Sequence, residues 1–149
     1  MLDKSLIGKE YPEFTFEVEK CKIREFARAI GDNSPIYLDE QAAKEAGYEG
    51  LAIPLTFPTL FANFGGSMNI LLDDFKLDLA RILHGGQQYE YFGKIKPGDK
   101  VTGKSKVANI FEKTGKSGGT MDFIVMETTY TNQNGEKVLV DTSTLIQRG

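Results

Sequence analysis

One cysteine and one histidine are all the thiol and imidazole that this 149-residue chain contains. Cys21 has no second cysteine with which to close an intrachain disulfide, and a lone thiolate with a lone imidazole cannot assemble a zinc cluster. A reducing compartment suits such a chain, and the cytoplasm is expected. No apolar run approaches the ~20 residues needed to cross a bilayer. Residues 1–9 are short of apolar character and mixed in charge, unlike a classical signal segment, so neither export nor membrane insertion is expected. Missing too is any basic block. Lys and Arg number 18 against 21 Asp and Glu, for a net charge of −3, and the scattered lysines could not neutralise a phosphate backbone, so nucleic acid is not an expected partner.

What is present is ordinary for a globular protein: 40% hydrophobic and 26% charged residues, enough for one core and one domain spanning 1–149. Phe14, Phe16 and Val18 alternate with polar neighbours, as in a strand. Ile23, Phe26, Ala27 and Ile30 then repeat at helical spacing, and Gly31-Asp32-Asn33-Ser34-Pro35 stops that helix with a glycine, turn formers and a proline. Asp39 can cap a second short helix over 40–46, ended by Gly47. From Phe57 the apolar residues Leu60, Phe61 and Phe64 again keep helical spacing up to Gly65-Gly66, which predicts a buried helix. The stretch 67–81, with Asp73-Asp74 and Lys76, reads as surface.

Four strands are predicted next, over 83–95, 100–111, 120–131 and 137–146. Lys96-Pro97-Gly98-Asp99, a glycine-rich hairpin at 113–119, and a type I′ turn at Asn134-Gly135 would join them as an antiparallel meander. Helices first and long antiparallel strands afterwards make an α+β layout in which the sheet covers the most apolar helix.

Three segments carry a resemblance: Ala29 to Asp39 with its Asp32, Ser34-Pro35 and Tyr37; Gly47-Tyr48-Glu49-Gly50-Leu51-Ala52-Ile53-Pro54; and Leu83-His84-Gly85-Gly86-Gln87 with the later Pro97-Gly98-Asp99. In that order and spacing they resemble the MaoC-like dehydratase N-terminal family, also called FAS1-like dehydratase, and the non-catalytic-type subunits of mycobacterial (3R)-hydroxyacyl carrier-protein dehydratases. The resemblance implies a hot-dog fold, an antiparallel sheet wrapped around a central helix. It also implies reversible syn addition of water to a trans-2-enoyl thioester of CoA or acyl carrier protein. That chemistry needs acid–base groups and an oxyanion site, and no metal or other cofactor.

In active members of the family an aspartate and a histidine on the loop handle the water. Asp32 matches the aspartate, whereas Ser34 replaces an asparagine and Tyr37 stands at the histidine position. A phenol of ordinary pKa near 10 is a poor base at neutral pH. The candidate catalytic residues are therefore Asp32, Tyr37 and His84, and each has a structural alternative: Asp32 tightening its turn, Tyr37 packing beside Ile36 and Leu38, His84 bonded to backbone ahead of a strand. The resemblance further implies a substrate groove at Ser34, Pro54, Leu55, Thr56, Phe57, Gly85 and Gln87. Three readings of function are open. This chain shapes the acyl tunnel while a related chain supplies the intact loop; or it is a self-sufficient homodimeric hydratase using Asp32 with Tyr37 or His84; or it binds acyl-CoA without chemistry. A thioesterase is disfavoured, because the helix 56–64 contains no Asp or Glu. A homodimer or a heterodimer with a related subunit is expected, since an open strand edge invites pairing.

Overall fold

The computed structural model describes residues 2–65, 67–115 and 118–149, without the side chains of residues 67, 68 and 70. Gly66 and part of the hairpin expected at 113–119 lie outside the described residues. The first strand, β1 (Phe14–Glu17), leads into α1 (Lys20–Ala29), which buries Ile23 and Ala27. Gly31 takes a left-handed φ of +74° that ends α1. Pro35 occupies the first turn of α2 (Pro35–Leu38), and Asp39 accepts a hydrogen bond from Ala42 N at 2.8 Å to cap α3 (Glu40–Glu45). Next come α4 (Thr59–Phe64), α5 (Ser67–Phe75) and four long strands: β2 (Ile82–Tyr91), β3 (Lys100–Thr114), β4 (Thr120–Thr131) and β5 (Lys137–Arg148).

The five strands form one antiparallel sheet in the order β1-β3-β4-β5-β2. Along β4 burial alternates residue by residue, with Asp122, Ile124, Met126, Thr128 and Tyr130 all inward. That alternation is what one face packed on a core requires. The covering element is α4 with its approach segment: Phe57 and Phe61 are fully buried among Phe16, Ile23, Leu51, Tyr130 and Leu139. This is the hot-dog arrangement, in an α+β chain.

Three expectations need correction. The meander holds for β3-β4-β5, but β2 pairs with β5 and not with β3. The turn at 96–99 is made, with Asp99 N bonded to Lys96 O at 3.1 Å. Its far end is stitched to the end of β1 through Val18 N to Asp99 O and Gly98 N to Val18 O, each 2.8 Å. Turn chemistry fixes a reversal and leaves the strand's partner open. At 132–136 only Gly135 has positive φ, so the turn is not type I′; the Asn132 side chain instead accepts from Asn134 N and Glu136 N. Finally, the stretch 67–81 is not all surface. Its helix α5 turns Leu71 and Phe75, one turn apart, into a second cluster with Val107, Ile110, Ile124 and Leu145, while Asp74 faces Lys9 at 2.6 Å.

Gly103 is where the sheet makes room for the ring cluster. A Cβ there would meet Phe14 Cζ at 2.6 Å and Tyr130 Cε1 at 2.7 Å. Gly103→Ala should destabilise the chain by about 1–3 kcal/mol, read as a lower denaturant midpoint at unchanged slope. Equal stability would show that the rings have slack.

Candidate functional site

The strand registers place a line of polar residues across the concave face. Tyr89 opposes Asp141, Asp141 opposes Thr128, and Thr128 opposes Ser105, one residue from each of four neighbouring strands. The row beside it, Tyr91, Leu139, Tyr130 and Gly103, belongs to the main core. Ser105, Thr128 and Asp141 are only 5%, 7% and 6% exposed, and Ser105 Oγ lies 2.8 Å from Thr128 Oγ1. Burying such groups costs free energy unless they are paired.

Asp141 is paired from the edge strand. Gln87 Nε2 donates to its Oδ1, and His84 Nε2 lies 2.9 Å from Gln87 Oε1. An amide oxygen only accepts, so His84 carries a proton on Nε2. His84 and Gln87 are three residues apart, an odd number that would send them to opposite faces of a regular strand. The register of β2 slips at Gly85, between His84 opposite Leu145 and Gly86 opposite Thr144. This β-bulge returns both side chains to the same face. Burial pushes the Asp141 carboxyl up to about 6, with the Gln87 hydrogen bond and the nearby His84 pulling against that rise.

Two tyrosines of β2 fasten this edge to the entry of α4. Tyr89 Oη lies 2.6 Å from Thr59 Oγ1, and Tyr91 Oη donates to Leu55 O at 2.8 Å. Burial raises both phenols above their ordinary pKa, so they stay protonated hydrogen-bonding groups. A cleft lies near each of them. One of about 150 Å³ runs between α4 and the polar row, reaching His84, Gln87, Asp141 and Ser143, with Met126 and Leu145 as apolar lining. The other, of about 460 Å³, is lined by Tyr37, Tyr48, Leu51, Ile53, Leu55 and Tyr91.

The candidate residues are thus divided. Asp32 is exposed, and its Oδ1 accepts from Ser34 N at 3.1 Å, tightening its own turn. Tyr37 lines the larger cleft, and its hydroxyl is pushed up in pKa by burial and by the charge of Asp32. His84 lies in the smaller cleft, exposed, bonded to a side chain and not to backbone as its structural alternative had it. Of the expected groove residues, Gln87 and Leu55 line clefts. Phe57 is sealed in the core against Phe26 and Phe61, and Pro54 is also buried. Thr56 is exposed, Ser34 precedes α2 and Gly85 forms the bulge. Asp141, Ser143, Thr59 and Tyr89 were absent from the expected site.

The family model for the FAS1-like dehydratase domain region matches residues 5–140. The chain belongs to the FAS1-like dehydratase family. This FAS1-like dehydratase domain is similar to a UPF0336 protein of Saccharopolyspora erythraea, 37% identical over 99% of this chain and 92% of the relative. It is also similar to a UPF0336 protein of Thermobifida fusca, 33% identical over 99% and 95%. Among solved structures it resembles the C-terminally truncated HadBC (3R-hydroxyacyl-ACP dehydratase) complex of Mycobacterium tuberculosis. There the TM-score is 0.77, with 29% identity over 95% of this chain and 96% of that one.

In this FAS1-like dehydratase domain the inward carboxyl of Asp141 gives a direct pH signature. Facing it are Gln87, His84 and Tyr89 from β2, and Thr128 and Tyr130 from β4. Its folded pKa, about 6, lies above the ordinary 3.8, so between those values the native state holds a proton that the unfolded chain has lost. Stability is therefore lost as pH rises from about 4 to about 6, by on the order of 2 kcal/mol. Asp141→Asn should remove that slope and gain on the native protein at pH 7.5 relative to pH 4 in denaturant titrations. A pH-independent difference would rule the shift out.

Proposed function

We propose that this chain is one subunit of a (3R)-hydroxyacyl-thioester dehydratase, or equivalently an (R)-specific enoyl-thioester hydratase, and that it shapes the acyl pocket while a related hot-dog chain supplies the Asp/His loop. The observation that carries the reading is the state of its own loop. Asp32 is exposed, with one carboxylate oxygen accepting from Ser34 N, and Tyr37, which stands where the family histidine would, is a phenol held above its ordinary pKa. The loop thus offers Asp32 without an imidazole beside it to take a proton from water at pH 7. The pockets remain: a mainly apolar cleft beside Tyr37 and a second under α4.

The likeness to one chain of a solved two-protein dehydratase complex supports a partner of the same fold. The sheet supports it too. Strand β2 is the outermost strand on its side, and Leu83 and Phe92 near its ends are exposed. An open edge of this kind is a pairing surface. The substrate is an acyl group on CoA or acyl carrier protein, and the reaction moves one water across a carbon–carbon double bond.

The test is hydration of crotonyl-CoA, monitored by loss of the enoyl absorbance. The purified chain alone should turn over slowly or not at all. Co-expression with a hot-dog chain carrying the intact loop should raise the rate by about 10²–10⁴-fold, and sedimentation should show the two associated. Robust turnover by the chain alone, abolished by Asp32→Asn and indifferent to any partner, would establish the self-sufficient enzyme instead.

A further inference from the structure

The cleft under α4 has a composition that a plain hydrocarbon chain does not explain. Its apolar lining includes Ala62, Met126 and Leu145, yet across it run Asp141, Ser143 and Thr128. At about 150 Å³ it has the volume of a cavity that admits a group of about six non-hydrogen atoms. Among the described residues the hydrogen bond that the Asp141 side chain accepts comes from Gln87, whereas a carboxylate offers about four acceptor positions. An alkyl group pressed against it would bury an anion with its hydration removed and nothing in exchange. A hydroxyl or amide N–H would supply the missing donor, and hydrogen bonds to ionised acceptors are the strong ones.

We propose that this cleft is an acyl subsite selective for a short acyl group that carries a hydrogen-bond donor, which donates to the Asp141 carboxylate. Gln87 is its positioning residue. The amide ties the carboxylate to His84, and the bulge at Gly85 gives Gln87 the phase to do so. The apolar lining takes the alkyl stem, and the polar row takes the donor. This assignment rests on the acyl-thioester reading above and adds to it a size limit and a chemical preference.

Two sets of probes separate the ideas. The first is a pair of isomers, pentan-1-ol and 1-methoxybutane, equal in atoms but differing in one donor, titrated into the full chain at pH 7.5 and monitored by NMR. Pentan-1-ol should shift the resonances of Asp141, Ser143 and the Gln87 amide and bind about 10-fold more tightly than the ether. Asp141→Leu should bring the two within about 2-fold, and Asp141→Asn, which keeps the shape and an acceptor, should fall between. Should Asp141→Leu fail to fold, Asp141→Asn alone must still narrow the gap. Equal binding of alcohol and ether by the native chain, or a gap that Asp141→Asn leaves intact, overturns the subsite.

The second set is hexanoyl-CoA, 6-hydroxyhexanoyl-CoA and palmitoyl-CoA, measured by calorimetry. The hydroxylated chain should bind most tightly, and palmitoyl-CoA least. Tightest binding of palmitoyl-CoA overturns the size limit and with it the subsite. Discrimination between the isomers together with no binding of any thioester overturns the acyl-thioester reading and leaves only a donor-selective pocket.

Discussion

The interlock of rings around α4 is the constraint on which the rest of the fold depends. Phe61 meets Phe16 at 4.9 Å, Tyr130 at 5.3 Å and Phe57 at 5.8 Å, and Phe57 in turn meets Phe26 edge-on at 5.6 Å. These contacts tie β1, α1, α4 and β4 to one point. Edge-to-face pairs add about 0.5–1.5 kcal/mol each beyond the area they bury, and the six-residue α4 is too short to persist on its own propensity. Only the concave sheet can hold it. Once it is held, the distance between α4 and the strands sets the size of the smaller cleft, and Tyr89 and Tyr91 tie β2 to the same helix entry.

Much of this frame is readable from local chemistry. Helix α1 is announced by Ile23, Phe26 and Ala27 and closed by Gly31, α3 by its Asp39 cap, and β4 falls at 120–131 as its alternation indicates. What fails is long-range. Nothing in the turn at 96–99 states that β2 will cross to the far side of β5. Helix α5 is hidden because Asp73, Asp74 and Lys76 outweigh the two inward residues Leu71 and Phe75, and the strands that receive them lie further along the chain.

The site divides along the same line. Asp32 and Tyr37 are visible in the sequence because they occupy places in a contiguous motif, where Asp32 accepts from Ser34 N and Tyr37 lines the larger cleft. Asp141 is invisible there because its meaning depends on register. It becomes a buried polar group only when Tyr89, Thr128 and Ser105 are aligned with it across four strands. A single clue was available: a charge at the inward phase of 137–146, between Leu139 and Leu145. A carboxylate there is costly to keep, and packing alone gives no reason for one.

The bulge at Gly85 also sets the parity of the whole edge strand. Upstream of it the even-numbered residues Ile82 and His84 face inward; downstream the odd-numbered Gln87, Tyr89 and Tyr91 do. One residue thus works as a phase shifter for everything after it. Were the bulge straightened with Gly85 kept in the pleat, an even phase running on from His84 would carry Gln87, Tyr89 and Tyr91 to solvent together, since a slip of one exchanges the two faces of a strand. The carboxylate, the threonine on α4 and the carbonyl at Leu55 would lose their partners in a single step. The backbone phase of one strand is, in this protein, as much a part of the cleft's lining as any side chain.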